Sequence, residues 1–229
     1  RVEVPVEKLV IVGNTAFAEI AYEYFTHDSP YEVVAFSVDR EFIRESTLFG
    51  RPVVPFDELA QRFEPREHAA YAAMTYTQLN RLRARFAARC KALGYRLASY
   101  VSSRAFVWRN VELGEHCFVF EDNTVQPFVK IGNNVVLWSG NHIGHHSVIR
   151  DNAFLASHVV VSGFCDIGES CFLGVNATLA NNVTVARDCL IGAGATILRD
   201  TEPDRLYGAT STLARDKSAS AYFGVPSEA

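Results

Sequence analysis

The stretch Ile131-Gly-Asn-Asn-Val-Val-Leu137-Trp-Ser-Gly-Asn-His-Ile143-Gly-His-His-Ser-Val-Ile149 puts a branched aliphatic residue at every sixth position. The register extends in both directions without a miss: Val107, Leu113, Val119, Val125, Ile131, Leu137, Ile143, Ile149, Leu155, Val161, Ile167, Leu173, Leu179, Val185, Ile191 and Ile197. Four residues after each comes a small or slender side chain, among them Cys117, Asn123, Ser147, Ala153, Cys165, Cys171, Ala177 and Cys189. Glycine often follows the aliphatic residue directly, as at Gly132, Gly144, Gly168, Gly174 and Gly192.

Six is neither the 3.6-residue period of an α-helix nor the two-residue period of a flat strand. A hexapeptide can form one short strand and a turn, so three of them close a triangular coil of eighteen residues. Successive coils then stack about 4.8 Å apart, hydrogen-bonded through their backbones. The inside becomes three aliphatic columns, one running Val107, Val125, Ile143, Val161, Leu179, Ile197. This predicts an all-β parallel β-helix over residues 101–200, with four of the five cysteines as compact buried hydrophobes at its small inward positions.

Residues 1–100 follow another rule. Lys8-Leu-Val-Ile-Val-Gly13 and Glu32-Val-Val-Ala-Phe-Ser-Val-Asp39 are apolar strands ending in a glycine and an acid. A helix over Thr15 to Phe25 separates them. Arg51-Pro-Val-Val-Pro leads to a helix start at Phe56. Ala69 to Met74 is a further strand, Gln78 to Leu93 a helix closed by Gly94, and Arg96 to Val101 a last strand into the repeats. Strands alternating with helices indicate an α/β domain of the Rossmann sort. Residues 201–229 are left as a C-terminal tail.

Composition narrows the function classes. The chain has 229 residues, 48% apolar and 21% charged, with a net charge of −4. That mild acidity argues against nucleic acid as a partner. No run approaches the ~20 apolar residues of a membrane span, and no signal peptide is expected. An odd number of cysteines without paired spacing suggests a reducing, cytoplasmic compartment. Gly13-Asn14-Thr15-Ala16 keeps only one glycine of the dinucleotide fingerprint. A nucleotide, a nucleotide-sugar or simple packing all suit it. Asp39 could accept from a ribose or base, or cap a turn. Arg81, Arg83, Arg85, Arg89, Lys91 and Arg96 read best as a solvated basic face. His142, His145, His146 and His158 cluster in the repeats. A histidine on an outer corner has little packing reason to be there and can act as a general base near neutral pH.

This two-domain order, with Gly140-Asn-His-Ile-Gly-His145 in the middle of the repeats, resembles the sugar acetyltransferases of the bacillosamine and sialic-acid type. The resemblance spans nearly the whole chain and implies a left-handed β-helix, a homotrimer, and transfer of acetyl from acetyl-CoA to a nucleotide-linked sugar. It places the catalytic base on His145 and the donor to the thioester oxygen on the backbone N–H of Gly163, one coil further on. Gly163, Ala193 and Gly194 would line the CoA arm; Gly13, Asn14, Thr15 and Asp39 would hold the nucleotide. Trp138 and His142 would wall the sugar pocket. An acid usually orients this histidine, whereas Gly144 and His146 flank it here. His146, a backbone carbonyl, or an acid such as Glu121 or Asp122 must take that role. Tyr207-Gly-Ala-Thr-Ser211 replaces the family's usual segment near the adenine, so no adenine contacts carry over. The sequence leaves open N- or O-acetylation and the identity of the sugar. A zinc carbonic anhydrase of the same repeat type is a rival, weakened because Arg150 stands where its second histidine belongs. A non-catalytic nucleotide-sugar-binding protein is another. No metal is expected.

Overall fold

The computed structural model describes residues 6–226. The N-terminal domain runs β1 (Glu7–Val12), α1 (Ala16–His27), β2 (Tyr31–Val38), β3 (Thr47–Leu48), β4 (Arg51–Pro55), α2 (Leu59–Arg62), β5 (His68–Ala72), α3 (Arg81–Ala92) and β6 (Arg96–Leu97). Its sheet has the order β3-β4-β2-β1-β5-β6, parallel except for the β3–β4 pair. The strands are apolar throughout because both faces of the sheet are covered. Leu9 and Ile11 pack with α1, while Val10 and Val12 pack with Phe86 and Cys90 of α3.

Two expectations need correction here. The helix begins at Arg81 rather than Gln78, because Gln78, Leu79 and Asn80 are all left-handed (φ 55, 48 and 68). The Asn80 amide reaches across to donate to the carbonyls of Ser170 and Cys171, at 3.1 and 3.2 Å, fixing that turn against the prism. The last strand is also two strands. Arg96–Leu97 pairs with β5, and after a break at Ala98-Ser99, Tyr100–Val101 opens the β-helix by pairing with Phe118–Val119.

From there the chain winds a three-sided left-handed prism. Face 1 stacks the strands from Tyr100–Val101 to Leu190–Ile191, face 2 those from Phe106–Val107 to Thr196–Ile197, and face 3 those from Glu112–Leu113 to Thr184–Val185. The predicted aliphatic column is a ladder of partners, Val107 to Val125 to Ile143 to Val161 to Leu179 to Ile197. Leu206–Tyr207, beyond the last repeat, adds one more strand to face 1. The inward cysteines are free and buried, and their thiols donate to carbonyls of the next coil: Cys117 to Gly132 and Cys165 to Ala180 at 3.1 Å, Cys171 to Ala186 at 3.0 Å. Burial pushes the Cys117 and Cys171 thiols up to about 12, so they pack and donate as neutral groups. The glycines after the aliphatic residues have a steric cause. A Cβ on Gly144 would lie 2.6 Å from the Gly163 nitrogen, and one on Gly174 2.6 Å from the Ala193 nitrogen.

A further sixfold register lies at the corners. Positions 116, 122, 128 and every sixth residue to 194 have positive φ, fourteen in all. Twelve of them are Asn, Asp, His, Ser or Gly; the exceptions are Phe128 and Phe164. Short polar residues and glycine tolerate this left-handed conformation, and bulky ones rarely adopt it. That pattern is visible in the sequence and complements the aliphatic count.

Face 1 is the side that meets the N-terminal domain. Phe17, Tyr24 and Phe25 of α1 and Tyr71 of β5 pack against Phe118, Phe120 and half-buried Trp138. Phe118 and Phe120 are therefore not the exposed aromatics their outward register suggests; they are buried at 0% and 2% exposure because a second domain covers that face. The basic face of α3 is corrected as well. Arg83 is fully buried without a carboxylate, donating to Asn134, Asn80 and the carbonyls of Thr75, Asn152 and Ala153. Its neighbours are paired: Arg81 with Asp188, Lys91 with Glu115, Arg96 with Glu7.

His116 completes this junction. Its Nε2 accepts the Ala72 N–H at 2.8 Å, so its proton is on Nδ1 and donates to Asn134 Oδ1 at 2.7 Å. Burial, with the Arg83 charge adding, lowers the imidazole to about 3 from 6.5. The unfolded chain therefore binds a proton that the folded chain refuses, between pH 6.5 and about 3. Stability should fall as pH falls through that window, by roughly 2 kcal/mol at pH 5 from this residue. Thermal melting against pH should show that loss, and His116→Asn, which keeps a residue suited to positive φ, should flatten it; an equally steep acid limb in the variant would refute the assignment.

Candidate active site

The corner between faces 2 and 3 brings three of the expected residues together. The strand His142–Ile143 ends face 2, Val148–Ile149 begins face 3, and His145-His146 lie exposed in the turn between them. Gln126 holds the turn by accepting the His145 backbone N–H at 2.9 Å. The two imidazoles meet through their Nδ1 atoms at 3.1 Å. The opposite edge of His145 lies over the next coil: a Cβ built on Gly163 would be 2.9 Å from Nε2 and 3.0 Å from Cε1. The φ of Gly163 is not left-handed, so what its missing side chain provides is room for this imidazole against the backbone.

The Gly163 N–H donates to Asn181 Oδ1 at 2.9 Å. A role for that N–H toward a thioester oxygen therefore requires the Asn181 side chain to yield. Asn181 sits one coil further on the same corner and escaped the sequence reading; the eighteen-residue offset from Gly163 is the signal that could have found it. Of the groups that could orient His145, the structure joins it to His146. Glu121 instead accepts from Tyr24 and Ser139 at 2.7 and 2.8 Å, and Asp122 faces Arg104. The Glu121 contact, with burial first, raises the Tyr24 hydroxyl to about 12.

The remaining candidates lie elsewhere. His142 is half-buried on face 2. Trp138 is on face 1, stacked on Phe120 at 4.2 Å and 5.4 Å from Phe17 in the first turn of α1. Ala193 and Gly194 are exposed on the corner between faces 1 and 2, nearly three coils along the axis from His145. In the N-terminal domain, Gly13 has φ 133, and a Cβ there would meet the Ala73 carbonyl at 2.9 Å. Asn14 donates to the Phe42 carbonyl at 2.9 Å, and Thr15 is the N-cap of α1. This turn sits at the carboxyl ends of β1 and β5, where the strand order reverses and open α/β sheets bind ligands. Asp39, expected to face a ribose, is held by Arg89 through two bonds of 2.8 and 3.1 Å. The Arg89 guanidinium also lies over Phe56 and Phe86, at 4.1 and 4.5 Å.

The triangular cross-section separates these two sites. α1 packs on face 1, and His145 occupies the corner opposite that face. One chain therefore holds its Gly13–Thr15 turn and its histidine pair on opposite sides of the prism. Among the described residues no group of three or more His, Cys, Asp or Glu side chains could hold a metal ion, and Arg150 is ion-paired with Asp166 at 2.6 Å. Among them no helix is long and apolar enough to cross a membrane.

Residues 128–163 and 164–199 match the bacterial transferase hexapeptide model of six repeats. The whole architecture superposes on the acetyltransferase domain of PglB from Neisseria gonorrhoeae, with a TM-score of 0.79, 22% identity, and coverage of 89% of this chain and 97% of that one. The fold is that of the left-handed β-helix sugar acetyltransferases. A perosamine N-acetyltransferase mutant from Caulobacter crescentus, solved with CoA and GDP-perosamine, matches at 0.68 and 23% identity over 89% of this chain and 94% of its own. WeeI from Acinetobacter baumannii matches at 0.54 and 17% identity over 83% and 94%. No curated protein matches the chain by sequence.

Gly163→Ala tests the packing of this corner. The new methyl should push the imidazole aside, a cheap movement for an exposed side chain, so the melting temperature should stay near that of wild type. The carbon-bound Cδ2 and Cε1 NMR signals of His145 should shift with it. Unchanged His145 signals would show that the ring does not lie over this glycine.

Proposed function

We propose that the chain is an acetyltransferase that moves the acetyl group of acetyl-CoA onto an amine of a nucleotide-linked sugar, with His145 as general base. The observation that carries this reading is the exposed His145 imidazole, with Nδ1 against His146 and Nε2 against Gly163. Supporting it are the shared fold and the ligands of the similar structures: acetyl coenzyme A with the PglB domain, CoA and GDP-perosamine with the Caulobacter enzyme. A 4-amino or 3-amino deoxysugar is the acceptor this reading favours.

In this reading Nε2 takes a proton from the amine as its nitrogen attacks the thioester carbonyl carbon. The new C–N bond forms, the carbonyl oxygen gains negative charge, and the Gly163 N–H stabilises it once Asn181 has released that donor. Collapse breaks the C–S bond, and the CoA thiolate recovers the proton from His145. The amide product keeps the acetyl group; the histidine returns to its neutral form.

Assembly follows from the separation of the two half-sites. A nucleotide on α1 of one subunit can reach only the histidine corner of another. Face 3 carries the ion pairs Lys130–Glu112 and Arg150–Asp166, whereas face 2 exposes Phe106, Trp108 and Val160. Face 2 is therefore the side suited to a neighbouring prism, and a homotrimer about the long axis completes three shared sites. Residues 1–100 would then hold the nucleotide and residues 101–200 the CoA arm, with Ala193 and Gly194 lining it.

Release of free thiol from acetyl-CoA, measured against a panel of nucleotide-linked amino sugars, tests the activity. His145→Asn should fold and bind CoA as wild type does, while turnover falls by ~10²–10⁴. Retention of more than half the wild-type rate would show that another group is the base. Gly163→Ala should lower turnover by ~10², the effect of a misplacement on the order of 1 Å. Sedimentation at micromolar concentration should give three times the chain mass; a monomer would refute the shared site.

A further inference from the structure

Two corners break the rule that twelve others obey. Phe128 and Phe164 adopt φ 65 and 58, a strained conformation for a bulky residue, and both remain about half exposed (56% and 54%), so core packing does not explain them. They stand one coil before and one coil after His146, which shares their corner and their left-handed backbone. The three rings form a stack: Phe128 to His146 at 4.6 Å and 26°, His146 to Phe164 at 4.8 Å and 18°. That spacing is the rise of the coil itself. His145 stands edge-on to the stack, 5.3 Å from His146 and 5.0 Å from Phe164, both at 89°.

We propose that Phe128 and Phe164 are positioning residues for His145, acting through His146, whose ring they clamp so that its Nδ1 faces the Nδ1 of His145. The inference rests on His145 being the base. Two Nδ1 atoms 3.1 Å apart share one proton. If His145 carries it, its Nε2 keeps the lone pair that a base needs, and His146 has its own proton on Nε2. In the opposite arrangement the proton of His145 sits on Nε2 and the atom facing the substrate is useless as a base. An unclamped imidazole turns easily about its terminal torsion. Turning His146 would present a C–H to His145 in place of the acceptor. That rotation must sweep the ring through both phenyl faces, so the stack blocks it. Pro127 and Gly163 lie one coil on either side of His145, and no hydrogen bond or ion pair of the described residues joins a charged side chain to either imidazole. The clamp thus gives a neutral partner the fixed orientation that an ionised carboxylate would impose by charge.

The test uses the assembled protein and two independent readouts. Nitrogen-15 NMR of the imidazoles, assigned with His145→Asn and His146→Asn, should show His145 protonated on Nδ1 and His146 on Nε2. Phe128→Asn and Phe164→Asn replace each phenyl with a residue common at the other corners, so melting temperatures should not fall below wild type. In these variants the tautomer ratio of His145 should move toward Nε2–H. The kcat for thiol release should drop about two- to tenfold, the worth of one aromatic stack, with KM for acetyl-CoA within about twofold. Phe164→Tyr, which keeps the stack, should restore both. The proposal is overturned if tautomers and kcat are unchanged in both Asn variants, if only KM moves, or if the trimer dissociates while the tautomers persist, which would assign the phenyls to subunit packing. Were no sugar in the panel acetylated, the assignment of the base would fail, while the tautomer shifts would still decide whether the clamp exists.

Discussion

From His116 to Gly194 the chain turns the same way every six residues by placing a left-handed residue at each corner, and the rest of this molecule depends on that geometry. Fourteen successive corners meet it, mostly with Asn, Asp, His, Ser and Gly. Because the corner residue is in the left-handed region, the strands between corners stay short and coils stack with residues eighteen apart in register. The stacking in turn satisfies the backbone: Val136 donates to Ala153, Phe154 to Cys171, Phe172 to Cys189 along face 1. Aliphatic columns fill the interior, and the side chains left outside form three faces with different fates.

Those fates follow from what each face carries. Face 1 is aromatic and is covered by the N-terminal domain, face 3 is laced with ion pairs, and face 2 leaves Phe106 and Trp108 exposed. The domain junction is held by apolar burial, worth about 1.5–3 kcal/mol for each large side chain, and oriented by a buried polar network. Arg83 enters that network without a counter-charge, and burial lowers its guanidinium to about 10. Its donors instead meet the carbonyls of Asn134, Asn152 and Ala153 near the corner between faces 3 and 1, which ties α3 to one register of the prism. Loss of those acceptors would leave a buried charge unsatisfied, which is far costlier than a lost contact.

The histidine corner, where we propose the chemistry takes place, has the same corner geometry. A short turn with no side chain at Gly163 lets an imidazole rest on the backbone, and an outward-facing position keeps the residue exposed. The neighbouring His146 is a residue that tolerates positive φ and also offers a nitrogen to its neighbour, so fold and chemistry select the same side chain. Phe128 and Phe164 meet neither demand, which is why these two bulky residues are the exceptions among the left-handed corners.

Much of this was legible in one dimension. The sixfold aliphatic register fixes which residues share a column, and eighteen-residue arithmetic alone brings His145 against Gly163, because a coil closes after three equal sides. The alternation of strands and helices before residue 100 likewise reveals an α/β domain. What no register supplies is which outer face the second domain covers. Phe118 and Phe120 face outward by period and became interior, and Trp138 half-buried, only when α1 packed on them. Asp39 reads as a free acid until the fold brings Arg89, fifty residues away, to its carboxylate. Arg83 belongs to a basic run in the sequence, yet in the structure it alone is drawn inside. Period is a local property, set by the few residues that build each turn, so the sequence determined the prism and the juxtaposition of His145 and Gly163 on it. Docking depends on the shape and polarity of whole surfaces, so the partners of the outward residues were decided only by the tertiary structure.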